Sequence, residues 1–337
     1  MTTERELETP VSLLAPGGGL APDAVGFARR PMHVGPFSGP FPRKKRWDYW
    51  CVIDDHAALA FVIADVDYLG LAAVTLFDFD ARRVFERAAV SPFAGGFSMP
   101  RDVGASVAHD SPGLHLSMDR THDGTRLRAR ARTVTGGRLD ADVHVALPRH
   151  HETINIAVPF GGKAFQLNAK HAARPARGEV RAFGRTHSFG DGAFGCLDWG
   201  RGVWPWRTSW NWSCAQGIVD GRAVGLNFGA RWTDGTGVTE NGVTVDGKLH
   251  KIGEDVVFEY DRRDFTKPWT IRTTQSDRVR LVVEPFWEIT RRANARLVRS
   301  ELHLVWARVS GEVGLDSGER LKVSKLIGWA EEHLARW

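Results

Sequence analysis

The chain has 337 residues, 42% hydrophobic and 25% charged, which is the composition of a soluble globular protein with room for two ordinary domains or one large one. Its net charge of +5 comes largely from Arg, no nucleic-acid motif accompanies it, and no apolar run approaches the roughly 20 residues of a membrane helix. Three cysteines without a C-x-x-C pair argue against a disulfide framework or a structural zinc, and Met1-Thr2-Thr3-Glu4-Arg5-Glu6 does not read as a signal peptide, so a cytoplasmic protein is expected.

Residues 1–42 are rich in Pro and Gly and read as an extended arm without a core of its own. Regular structure starts near Lys45. The apolar runs 57–65 and 68–78 read as buried strands, because Gly and β-branched residues flank them. The clearest strand is 125–134, where Leu127, Ala129, Ala131 and Thr133 alternate with Arg126, Arg128, Arg130 and Arg132. Its guanidinium stripe is either a solvated face or, less simply, the lining of an anion site. Strands 141–148 and 152–160 flank Arg149-His150-His151, a hairpin loop. No third ligand stands at a metal-type spacing, so no metal is expected. Residues 166–178 are polar and contain Pro175, and read as a linker between two halves.

The second half opens on Asp198-Trp199-Gly200-Arg201-Gly202-Val203-Trp204-Pro205-Trp206-Arg207-Thr208-Ser209-Trp210-Asn211-Trp212, which holds five of the 13 Trp. Trp204, Trp206, Trp210 and Trp212 fall on even positions, a spacing that places them on one face of an extended strand. They read either as a packed core or as the aromatic wall of a ligand cavity with Asp198, Arg201 and Arg207 at its mouth. Asp220-Gly221 and Asp246-Gly247 between apolar runs signal two tight hairpins. Strands at 255–260, 269–274, 279–284 and 301–309 complete a meander. In 322–337, Val323, Leu326, Ile327, Ala330, Leu334 and Trp337 recur at three- and four-residue spacing, which predicts an amphipathic helix with Glu331 and Glu332 off its apolar stripe.

No nucleophile elbow, phosphate loop, dinucleotide fingerprint or zinc-protease motif occurs. The chemistry on offer is carboxylates beside indoles: Asp198 before the Trp run, Glu240 in Thr239-Glu240-Asn241-Gly242, and Glu284 late in an apolar strand. A carboxyl in a dry aromatic cavity holds its proton to higher pH and can donate it to an alkene, and indole faces stabilise the resulting cation. The plainer alternative pairs Asp198 with Arg201 or Arg207 and leaves Glu240 as a turn cap.

The segments 197–207, Gly225-Leu226-Asn227-Phe228-Gly229, 239–242 and Asp246-Gly247-Lys248-Leu249-His250-Lys251 resemble the family catalogued as domain of unknown function 2804. The likeness runs over nearly the whole chain. It implies kinship with two-barrel lipocalin-like proteins such as carotenoid 1,2-hydratases and fungal cyclisation enzymes, and hence an apolar, unsaturated ligand. The expected architecture is all-β: an arm (1–42), a first lipocalin-like antiparallel barrel (43–165), a linker (166–178) and a second barrel with a C-terminal amphipathic helix (179–337). The expected function is acid-catalysed hydration, isomerisation or cyclisation of a terpenoid, polyene or fatty-acyl substrate without a cofactor. Asp198 or Glu240 would be the acid. Arg201, Arg207, Asn211, Asn227 and Asn241 would orient the substrate, and Trp204, Trp206, Trp210 and Trp212 would wall its pocket. The alternatives are a non-catalytic carrier of a lipid-like molecule and a carbohydrate-active protein, in which paired carboxylates face an open cleft. Neither nucleic acid nor stable membrane insertion is expected.

Overall fold

The structure, a computed structural model, describes residues 4–295 and 298–336. Among them every regular element is a β-strand except one 3-10 turn at Pro22–Ala24. No helix among the described residues is long and apolar enough to cross a membrane. The first sheet runs from the edge Arg83–Pro92 through Leu69–Asp78, Ala57–Asp65, Lys44–Ile53, Phe194–Val203, Ala164–Ala182, Arg138–Ala146, Gly124–Arg132 and Leu114–Arg120 to Val107–Ser111, antiparallel throughout. It curls into a nearly closed barrel. Inward side chains of alternating residues, among them Trp50, Phe61, Leu116, Leu127, Phe165 and Trp199, fill its core. The arginine stripe of Gly124–Arg132 faces outward and is matched by carboxylates, with Arg126 gripping Asp142 through two bonds of 2.7 and 2.6 Å. That is a solvated face.

The second sheet has nine strands in the order Lys248–Lys251, Gly242–Val245, Arg222–Ala230, Arg207–Val219, Arg320–Arg336, Val298–Gly314, Val279–Ala295, Trp269–Thr273 and Val256–Glu259. It forms a half-barrel in the place of the second lipocalin-like barrel. Both Asp-Gly pairs close tight hairpins, with positive φ at Asp220 (48°), Gly221 (76°), Asp246 (47°) and Gly247 (81°), the geometry that fits the twist of antiparallel strands. A third apolar cluster joins the sheets: Cys51, Phe77, Phe79 and Cys196 meet Trp212, Cys214, Trp306, Ile327 and Trp329. Trp306 and Trp329 are fully buried there, and truncating either to Ala removes about 3–5 kcal/mol.

Several expectations are corrected. The C-terminal amphipathic helix is the strand Arg320–Arg336, with Trp337 outside the described residues. Lys325 sits at φ 54°, and the register against Val298–Gly314 shifts by one residue beside it. That bulge inserts an extra residue, so the core-facing set becomes Leu321, Val323, Leu326 and Ala330. Its spacing of three then four mimics helical periodicity. The proposed linker lies inside the strand Ala164–Ala182, and the chain passes between sheets at 204–206. Residues 166–170 looked like a loop because their polar side chains face the other sheet, where they are buried and partnered. The indoles of 204–212 do not share one strand, since Trp204 and Trp206 lie in that passage and Trp210 and Trp212 on Arg207–Val219. The arm is extended but contributes the strand Gly26–Ala28, paired with Ile154–Gly161, and buries Leu7, Leu13 and Phe27.

Deleting Lys325 removes the extra residue and makes the register continuous, with Leu326 still opposite Val309 and Ile327 and Trp329 still on their native face. The deletion variant is expected to keep a cooperative thermal transition. A variant that loses it contradicts this register.

Candidate functional site

On the strand Ala164–Ala182, Phe165, Leu167 and Ala169 point into the barrel, so Gln166, Asn168 and Lys170 point at the second sheet. The neighbouring strand places Asp198 opposite Lys170, Gly200 opposite Asn168 and Gly202 opposite Gln166. The 198–202 motif thus splits by parity, with Trp199 and Arg201 facing the barrel and Asp198 facing the seam between the sheets. The Lys170 ammonium lies 3.0 Å from Asp198 Oδ2, 3.1 Å from Glu240 Oε2 and 3.8 Å from the ring centroid of Trp212. Asn168 Nδ2 donates to Asp198 Oδ1 at 2.9 Å, and Trp232 Nε1 donates to Glu240 Oε1 at 2.7 Å. Gly229 permits this packing, because a Cβ there would stand 1.9 Å from Glu240 Oε1.

The second sheet supplies a third carboxyl. Glu331 lies opposite Trp212 across the ladder and is buried, with Trp210 Nε1 donating to its Oε1 at 2.8 Å. Burial pushes its carboxyl up to about 7; Trp210 and Lys170 pull it down, while Asp198 and Glu240 push it further up. Burial alone would lower the Lys170 ammonium, but Asp198 and Glu240 hold it above the ordinary lysine range. Burial also raises Glu240, against the pull of Lys170. For an isolated ion pair these two directions conflict. They agree once one ammonium serves several carboxylates: it cannot neutralise all of them in a dry seam, so one proton stays in the cluster near neutral pH. We place it on Glu331, which has no ion pair among the described residues.

Of the residues singled out in the sequence, the structure gathers Asp198, Glu240, Trp204, Trp210 and Trp212. Trp204 donates through Nε1 to Gln166 Oε1 at 2.6 Å, and its ring meets Phe160 at 5.1 Å, Trp232 at 5.9 Å, Trp47 at 6.0 Å and Trp210 at 6.1 Å. These rings pack on one another, and Trp47, Phe160, Trp210 and Trp232 are half-buried, so the aromatic cluster reaches the surface. Asn211 donates to Tyr260 Oη and to the Glu331 carbonyl. Asn227 accepts from Trp212 Nε1 and donates to the Glu240 carbonyl, while Asn241 accepts from the Gly229 N–H. All three asparagines brace the acids. The structure separates the others. Arg201 faces the barrel and pairs with Asp48 at 2.6 Å, Arg207 is exposed, and Trp206 is 52% exposed beneath the Arg43 guanidinium. Neither arginine pairs with Asp198, as the plainer alternative had it, and Glu284 is exposed.

Sequence reasoning missed Lys170, Glu331, Asn168 and Trp232. The signal for Lys170 was the alternation Phe165-Gln166-Leu167-Asn168-Ala169-Lys170, a strand with one polar face. Glu331 was hidden by the bulge at Lys325.

The model of the family described as Domain of unknown function (DUF2804) matches residues 4–337. The chain belongs to that family. Among solved structures it is similar to a putative AttH from Nitrosomonas europaea, with 12% identity, 90% of this chain and 98% of that one covered, and a TM-score of 0.53. Kievitone hydratase from Nectria haematococca matches at 7% identity over 90% and 93% of the two chains with a TM-score of 0.44, and CghA at 13% over 88% of each with 0.38. The first likeness shows the fold and nothing more. No curated protein matches this member of DUF2804.

Two outcomes follow for stability. A glutamate whose carboxyl rises on folding favours the folded state at low pH and loses that advantage as pH climbs through the folded value. Between the ordinary value of 4.5 and about 7, Glu331 should therefore cost up to about 3 kcal/mol, a slope that Glu331→Gln abolishes in urea titrations at stepped pH. Lys170→Met leaves the carboxylates without a counter-charge and is expected to lose about 3–5 kcal/mol at pH 8, and less at pH 5. Equal losses at both pH values contradict the shared-charge arrangement.

Proposed function

We propose that this cluster is the proton-handling centre of an enzyme that hydrates, isomerises or cyclises an apolar, unsaturated substrate. The observation that carries the reading is Glu331: a buried carboxylic acid that keeps its proton to about pH 7, hydrogen-bonded to one indole and opposite another across the sheet. Neutral Glu331 donates its proton to one carbon of a double bond. The π pair forms the new C–H bond, and the adjacent carbon becomes cationic. Indole faces at Trp204 and Trp210 stabilise that cation, and the charges of Asp198 and Glu240 lower its energy further. Water then adds and gives up a proton, or a neighbouring C–H does so to leave a shifted double bond. Asp198, whose side chain is 15% exposed, is the group placed to take that proton.

Asp198 and Glu240, the acids expected from sequence, both lie against the Lys170 ammonium and serve in this reading as its counter-charges. The geometry offers less to a carbohydrate reading. Glu240 is 1% exposed, and it and Asp198 share one ammonium instead of facing across an open cleft.

Carbon protonation leaves a label. Protein in D2O, incubated with a panel of terpenoids, polyenes and unsaturated fatty acyl esters, should place deuterium on carbon, read by mass spectrometry. Glu331→Gln should lower the rate at least about 100-fold. The wild-type rate should fall above pH 7 as the donor ionises. No incorporation by wild type, or an undiminished rate in Glu331→Gln, overturns the proposal.

A further inference from the structure

The inside of the barrel carries a second set of unspent polar groups. A cleft of about 440 Å³ opens between the arm and the barrel, with Leu13, Phe37 and Leu167 on its apolar sides and Asn155, Trp199 and Arg201 within. That volume is in the range of small-molecule sites. Asn155 and Trp199 are 2% and 1% exposed, yet Asn155 Oδ1 and Trp199 Nε1 have no hydrogen-bond partner among the described residues. Buried polar atoms left unpaired are rare and costly, and two of opposite kind in one cleft point to a missing ligand group. The Asn155 amide is fixed in orientation, because its Nδ2 donates to Thr153 Oγ1 at 2.8 Å and to the Ala28 carbonyl at 3.3 Å. Oδ1 is therefore a committed acceptor and Trp199 Nε1 a committed donor.

The register sets their spacing. Asn155 pairs with Ala169, and Ala169 pairs with Trp199, so all three lie on one rung and face one way. Two strand spacings separate the outer pair, about 9.5 Å between Cα atoms. The residue between them carries only a methyl group, which leaves room above it. The charge inside is spent. Arg201 Nη2 donates to Asp48 at 2.6 Å and to the Pro100 carbonyl at 2.8 Å, and Nη1 donates to the carbonyls of Trp47 and Gly200 at 2.8 Å each. A carboxylate or phosphate beside Asn155 and Trp199 would find that cation already taken; Arg101 and Arg120, which also line the cleft, are exposed. The Arg201 guanidinium also lies 4.3 Å from the Trp199 ring centroid, which polarises the indole and strengthens its N–H as a donor.

We infer that the barrel cleft binds an apolar molecule bearing a hydroxyl group, which donates to Asn155 Oδ1 and accepts from Trp199 Nε1. A hydroxyl is the smallest group that does both. The site is separate from the Glu331 cluster, which lies on the opposite face of the same strands.

The test is calorimetry on the full chain with two probes, 2-naphthol and 2-methoxynaphthalene. They share a ring system, and only the first can donate. 2-Naphthol should bind one-to-one and at least about threefold tighter than the ether. Trp199→Phe, which keeps a ring and deletes the N–H, should weaken 2-naphthol about three- to tenfold. Glu331→Gln should leave its affinity unchanged, so that failure of the proton-donor reading and failure of this site are told apart. The inference is overturned by absence of saturable 2-naphthol binding, by equal affinity of the two probes, or by unchanged affinity in Trp199→Phe. If that variant does not fold, the comparison of probes on wild type decides alone.

Discussion

One buried ammonium shared between Asp198 and the buried Glu240, with the buried Glu331 nearby, is the constraint on which the rest of this molecule turns. Lys170 is surrounded by apolar rings, and a lone charge there would cost several kcal/mol. Two carboxylates and the face of Trp212 make its burial tolerable, and in doing so they leave the third carboxyl without a counter-charge. The proton that Glu331 retains is thus a consequence of its own burial, beside an ammonium already taken up by Asp198 and Glu240.

The fold explains why the cluster sits where it does. Lys170 and Asp198 come from adjacent strands of the barrel, Glu331 from the half-barrel, and Glu240 from the loop after its strand Arg222–Ala230. Both sheets are needed to assemble it. The strand Phe194–Val203 carries two chemistries by parity alone: Asp198 faces the seam, while Trp199 and Arg201 face the barrel interior. A single strand thereby sets polar groups on both faces of one sheet.

Much of this was legible in the sequence. Composition and the Asp-Gly turns point to an all-β chain, and the dense run of indoles around 198–212 supplies Asp198, Trp204, Trp210 and Trp212, which the fold brings together. Asp198 and Glu240 were singled out together, and they do share a cation. What misled was local. Pro175 and a run of polar residues made 166–178 look like a linker, although the polar side chains alternate and each finds a partner across the seam. One residue with positive φ, Lys325, broke a strand's alternation into spacings of three and four, and so produced the look of a helix. Guanidinium groups were the natural partners to expect for Asp198 because they are near it in sequence, but strand parity sends Arg201 to the opposite face. Partners far apart in the chain, such as Lys170 with Asp198 and Glu331 with Trp210, leave no mark in a linear reading.

The retained proton is open to direct observation. With glutamate labelled by carbon-13 at the side-chain carboxyl, an NMR titration should show one carboxyl signal with a midpoint near pH 7 in wild type, and that signal should be missing from Glu331→Gln. A wild-type protein in which every glutamate carboxyl titrates below pH 5.5 would contradict the charge sharing at Lys170, and the chemistry proposed from it.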